Sequence, residues 1–106
     1  MKIWLDDIRE PPDNTWIVCR RASSCIILLD MLDCRVDLLS LDHDLGDDVA
    51  GTGYDVLVWL EQRLFNHPKN RVPKIIRVHS ANPVGAARMQ KAIDAIRKRE
   101  RWLQSF

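Results

Sequence analysis

The residues best equipped for chemistry fall into three short groups: Asp6-Asp7 followed by Arg9, Asp42-His43-Asp44, and His79-Ser80 followed by Asn82. Clustered carboxylates repel one another, and a bound cation is a natural way to keep several ionised together. An all-oxygen donor set favours Mg²⁺ or Mn²⁺, or Ca²⁺, over softer metals. Asp6, Asp7, Asp42 and Asp44 are therefore the expected metal ligands. Imidazoles change charge near neutral pH, so His43 and His79, with Asp42, are the expected catalytic groups. Arg9 can pair with an acid or clamp a phosphate, and Ser80 adds a hydroxyl donor. Asn82-Pro83 opens a helix whose free N–H groups can hold an anion.

Such groups act together only if the fold assembles them. Lys2–Leu5 is a short apolar run that reads as a buried strand. Pro11–Asn14 is a loop, and Thr15–Cys19 is rich in β-formers. Ser23 or Ser24 can cap a helix reaching about Asp33, with Cys25, Leu28, Leu29 and Leu32 on one face. Val36–Leu41 reads as a third strand and 45–52 as a Gly- and Asp-rich loop. A helix from Gly53 or Tyr54 to about Asn66 turns Val56, Leu57, Leu60 and Leu64 inward. His67–Asn70 breaks it, and Lys74–Val78 is a fourth strand, placed at an edge by Arg77. The last helix runs from Pro83 to about Leu103 with Met89, Ile93 and Ile96 inward. Strands alternating with helices predict a mainly parallel sheet. Neighbouring strand ends lie ~4.8 Å apart, so the three groups converge at its carboxyl edge, where ligands bind in open α/β sheets. About nine residues, 6–14, join the first two strands, fewer than parallel crossovers usually need. Either the second strand is an antiparallel edge, or the crossover is an extended loop.

Composition bounds the reading. The chain has 106 residues, which suits one domain over 1–106. No apolar run reaches the ~18 residues of a membrane helix, and the acids at positions 6 and 7 come too early for a signal peptide. A cytoplasmic protein is expected. Three cysteines without a CxxC pair argue against a disulfide framework, and Cys25 and Cys34 read as core thiols. Residues 1–50 hold 5 Lys/Arg and 11 Asp/Glu, and residues 51–106 hold 11 and 4, balances of −6 and +7. This asymmetry argues against nucleic-acid binding over the whole surface and allows an acidic pocket beside a basic flank. Arg97–Arg101 reads as a solvated helix face, Asp47 and Asp48 as solvated loop acids, Asp55 as a first-turn helix acid and His67 as structural. The tryptophans read as packing, although Trp102 and Phe106, one turn apart, can form a contact patch.

Read together, these segments resemble receiver domains: Leu5-Asp6-Asp7 their acidic pair, Asp37–Asp42 their third strand and phosphoacceptor aspartate, Gly51–Leu57 the start of their third helix, and Val78–Ala81 their fourth strand end. No helix follows the first strand, and no fifth strand follows Ser80 to carry the receiver lysine. LDDIR, SLDHDLG, GTGYDV and VHSANPVG, in that order between Leu5 and Gly85, resemble more narrowly the cyclic-phosphate processing receiver-like family. The resemblance implies a reduced receiver (flavodoxin-like) three-layer α/β sandwich of about four mainly parallel strands, lacking the first and last receiver helices and the fifth strand. It marks Asp6, Asp7, Arg9, Asp42, His43, Asp44, His79, Ser80 and Asn82 as site residues.

The expected function is a phosphoesterase using Mg²⁺ or Mn²⁺ on a cyclic nucleotide or an RNA end with a 2′,3′-cyclic phosphate. The alternative is a non-catalytic module binding a phosphorylated ligand, or a protein through the C-terminal helix. A third reading is a true phosphoacceptor at Asp42. Asp42-His43-Asp44 also has the DxD spacing of haloacid-dehalogenase-like phosphatases, but there it follows the first strand, here the third. Toprim domains also carry DxD but want a glutamate after the first strand, where this chain has Asp6-Asp7.

Overall fold

The computed structural model describes residues 1–46 and 49–106. Asp47 and Asp48, expected to be solvated loop acids, lie outside the described residues. Among the described residues four strands, β1 (Lys2–Leu5), β2 (Trp16–Cys19), β3 (Leu38–Leu41) and β4 (Ile75–Val78), alternate after β2 with helices α1 (Ala22–Met31), α2 (Gly53–Asn66) and α3 (Pro83–Gln104). The strands form one sheet in the order β2-β1-β3-β4, and every pairing is parallel. This resolves the question of β2: it is a parallel edge reached by an extended crossover without a helix. β4 is the opposite edge, so the charged Arg77 faces no further strand.

Side-chain alternation divides the sheet. Ile3, Leu5, Cys19, Leu39, Leu41 and Ile76 join one buried cluster with Val56, Leu57, Leu60 and Leu64 of α2 and Met89, Ile93 and Ile96 of α3. α1 adds Ala22, Cys25 and Leu29, while Leu28 and Leu32 are only partly covered. All three cysteines are buried. α2 packs between α1 and α3, and both crossovers through α1 and α2 step in the same direction along the sheet. Right-handed crossovers in one direction place their helices on one face. Over the other face runs the loop 6–15, where Arg9 C=O accepts from Trp4 Nε1 at 2.9 Å. Trp4 meets Trp16 there edge to face at 5.5 Å.

Two helix starts differ in how their end groups are satisfied. α1 was expected to be capped by Ser23 or Ser24, but it begins at Ala22 after an extended Arg21 with no side-chain cap. The Ala22 N–H instead donates to the Ala50 carbonyl at 2.9 Å, so a neighbouring loop does the work of a cap. α2 carries a full capping box: Thr52 Oγ1 accepts from Asp55 N–H, and Asp55 Oδ2 accepts from Thr52 N–H at 2.8 Å. Asp55 thus serves its helix start, as its position suggested.

Gly53 lets α2 approach the end of β3. A Cβ there would lie 1.9 Å from the Asp42 carbonyl oxygen and 2.8 Å from Met89 Cε. The first obstacle is backbone and cannot swing away. Gly53→Ala is expected to destabilise the domain by about 2 kcal/mol or more, as overpacking does, and to displace Asp42. Thermal melting of the variant checks this; a midpoint equal to wild type would contradict it.

Candidate functional site

The carboxyl ends of β1, β3 and β4 bring most of the expected site together. Asp6 and Asp42 follow adjacent strands, held in line by Asp42 N–H donating to the Leu5 carbonyl at 2.9 Å. One carboxylate oxygen each from Asp6, Asp7 and Asp42 lies within 4.8 Å of the others. These acids, with Arg9, Asp44 and Ser80, line a cleft of about 340 Å³.

The two central aspartates sit in opposite electrostatic settings. Asp6 is almost wholly buried at 1 % exposure. Burial works to raise its pKa, but donors outweigh it and hold the carboxyl below the ordinary range. Oδ1 accepts the N–H groups of Ile8 and Arg9, both at 2.9 Å, and Oδ2 lies 3.1 Å from His79 Nε2. Asp42 is also buried, and desolvation first, then the charge of Asp6, pushes its pKa up. His43 N–H donates to Asp42 Oδ1 at 2.8 Å and offsets only part of this. Arg9 spans the pair, with Nε 3.3 Å from Asp6 Oδ2 and a terminal nitrogen 3.8 Å from Asp42 Oδ1. That same terminal nitrogen donates to the His79 carbonyl at 3.1 Å, tying the loop to the end of β4.

His79 is clamped on both ring nitrogens. A carboxylate can only accept, so Nε2 carries the proton given to Asp6, and Nδ1 accepts from Ser40 Oγ at 2.7 Å. The ring stacks on Trp4 at 3.8 Å and 5°. Burial lowers its pKa against the pull of Asp6, keeping it neutral at pH 7. Sequence reasoning named His79 but missed Ser40 and Trp4, its two supports. The available signal was a lone hydroxyl inside the apolar strand Leu38–Leu41.

His43 takes a different position. Its Nδ1 lies 2.8 Å from Asp44 Oδ1, and Asp44 Oδ2 accepts from Asn82 Nδ2 at 3.3 Å. The ring packs on Gly85, where a Cβ would come within 2.7 Å of His43 Cγ. Asp44 is exposed and stands at the cleft rim, outside the close carboxylate trio. Its pKa is held down chiefly by the His43 hydrogen bond. Asn82 caps α3 as expected, accepting the Gly85 N–H at 3.0 Å, and its own N–H donates to Ser80 Oγ at 3.1 Å.

A parallel α/β sheet with an acidic cluster at these strand ends defines a receiver-like domain. The profile of the cyclic-phosphate processing receiver domain matches residues 1–95, and the chain belongs to that family. Neither the curated proteins nor the solved structures give a significant match. Among the described residues no helix is long and apolar enough to cross a membrane.

Proposed function

We propose that the domain is a metal-dependent phosphoesterase acting on a cyclic phosphate, with Mg²⁺ or Mn²⁺ held by Asp6, Asp7 and Asp42. The supporting observation is the three carboxylates with oxygens within 4.8 Å of one another, lining a cleft. The donors fit a hard cation, and burial first, then the charge of Asp6, disfavours ionised Asp42, a cost that a bound cation would offset. When bound, such a cation neutralises phosphoryl charge and makes water a stronger nucleophile. Asp44 at the rim would join the coordination only through a shift away from His43.

The chain's own groups divide the remaining work. Arg9, half exposed beside the acids, clamps the phosphate, and Ser80 donates its hydroxyl to it. Asn82 orders the start of α3 against the cleft. His43 exchanges protons at Nε2, its ring oriented through Nδ1 by Asp44 as a base is oriented by a carboxylate. His79, with both nitrogens engaged, positions Asp6 as a carboxylate's outer partner does. The reaction opens the ring: water adds to phosphorus, one ester P–O bond breaks, and the leaving oxygen takes a proton, giving a phosphomonoester.

The test is incubation with Mn²⁺ and a panel of 2′,3′- and 3′,5′-cyclic nucleotides, followed by chromatography of products. A phosphomonoester from at least one substrate, lost in Asp42→Ala, is expected; unchanged substrate throughout would sink the proposal. One observation favours a second reading. Arg9 already spans Asp6 and Asp42, as in a module that binds a phosphorylated ligand without turning it over. Ligand bound tightly and recovered intact would select that reading.

A further inference from the structure

The basic run at the end of the chain is not uniform in its environment. Arg97 is committed to the fold: its guanidinium donates to the carbonyls of Pro73 at 2.6 Å and Lys74 at 2.8 Å, and pairs with Glu100. Other cations on α3 point outward. Arg88, Lys91, Ala95, Arg99 and Trp102 are all exposed and follow one another at three- or four-residue steps, so they form one stripe along the helix. Phe106 extends it, meeting the Trp102 ring edge to face at 4.8 Å.

Aromatic rings flank the cations at the two ends of this stripe, from α2 and from α3 itself. Arg88 lies 4.1 Å from the Tyr54 ring centre, and Arg99 lies between Phe65 at 5.4 Å and Trp102 at 5.0 Å. A guanidinium resting on a ring keeps its edge N–H donors for a phosphate. Phe65, Trp102 and Phe106 are 68 %, 53 % and 87 % exposed, too much apolar ring area to be explained by the domain's own core. Glu61 is the acid lining the same groove between α2 and α3, and Asp94 is engaged by Gln90.

We infer that this face of α3 binds single-stranded nucleic acid. Positive charge on one helix face suits a phosphate backbone, and the exposed rings gathered around Arg99 suit unstacked bases. An acidic protein partner could also use the charge and the rings, and the binding experiment below separates the two. From Arg88 to Trp102 the stripe spans about 21 Å of helix, a track for about four nucleotides, at the low end of single-strand sites. α3 starts at Pro83, just after the Ser80-Ala81 wall of the cleft, and the stripe begins further along it at Arg88. The binding surface stands independently of the proposed reaction. Only its role as a track leading a cyclic-ended RNA into the cleft rests on that reaction.

The experiment is fluorescence anisotropy with the full chain and labelled 12-nucleotide RNA and DNA ending in plain 3′-hydroxyls, so that turnover plays no part. Binding is expected at low salt, with log affinity falling against log salt with a slope of about −2 for three contacted phosphates. Arg99→Glu should weaken it about ten-fold or more and Trp102→Ala several-fold, with wild-type melting curves. If neither strand binds, or if Lys91→Glu with Arg99→Glu binds as tightly as wild type, the inference falls and a protein partner replaces it. Failure of the cyclic-phosphate panel alongside this binding would remove the reaction and leave the surface. Where both hold, Arg99→Glu raises KM for a cyclic-ended oligonucleotide and leaves that for a cyclic mononucleotide unchanged.

Discussion

Asp42→Asn is expected to lower divalent-cation affinity at least about 100-fold, more than loss of an outer partner costs, to abolish turnover, and to leave the fold as stable as wild type or more so. The stability half follows from the electrostatics. Burial and the neighbouring Asp6 charge both disfavour ionised Asp42, and Asn keeps the Oδ1 that accepts the His43 N–H. The pH dependence has a definite sign. A carboxyl whose folded pKa is raised binds more protons folded than unfolded, so it costs stability as pH rises through the window above 3.8. The advantage of Asn should therefore appear on going from pH 3 to neutral and vanish below the ordinary carboxylate range, where Asp42 is uncharged. Melting curves at several pH values without metal check this. A variant clearly less stable than wild type at pH 7 would contradict the assignment of Asp42 as a ligand held against its own stability.

Asp6→Ala is expected to do the opposite to the fold, costing about 3 kcal/mol, or more than 10 °C in Tm at roughly 4 °C per kcal/mol. The substitution removes the acceptor of the Ile8 and Arg9 N–H groups and of the His79 Nε2–H and leaves a void where the buried carboxylate stood. Asp6→Asn, which keeps the Oδ1 acceptor, should recover much of the stability and none of the cation binding. Here the linkage has the reverse sign. A lowered carboxyl pKa contributes stability that is complete above the unfolded value and lost as pH falls through the folded one. Asp6→Ala should therefore flatten the acid limb of the stability curve. A Tm within about 2 °C of wild type at neutral pH, well inside the single-residue range, would show that the Asp6 network does not hold the 6–15 loop. Two carboxylates of one site thus separate cleanly: one both builds and serves it, the other serves it alone.

How far the residues foretold this depends on the range over which each contact acts. The inward faces of α2 and α3 are local periodicity, and Val56, Leu57, Leu60, Leu64, Met89, Ile93 and Ile96 are all buried as expected. Convergence of Asp6, Asp42 and His79 follows from strand ends in a parallel sheet, which needs topology but no side-chain detail. What failed to show was settled by long-range partners. The α1 start depends on an Ala50 carbonyl 28 residues away, and no local cap signal encodes that. Asp44 was expected beside its neighbour Asp42, yet Asn82 and His43 draw it to the rim. His79 reads as a free imidazole until Ser40, Trp4 and Asp6 surround it. The parallel setting of β2 was undecidable from a crossover this short, since loop 6–15 is held by bonds such as Trp4 Nε1 to the Arg9 carbonyl.

The most direct test of the central claim is a Mn²⁺ titration of the wild-type domain and Asp42→Asn, reading free Mn²⁺ by electron paramagnetic resonance. One saturable site is expected in the wild type, lost in the variant while both remain folded. Equal Mn²⁺ uptake by the two proteins, or none by either, would contradict it.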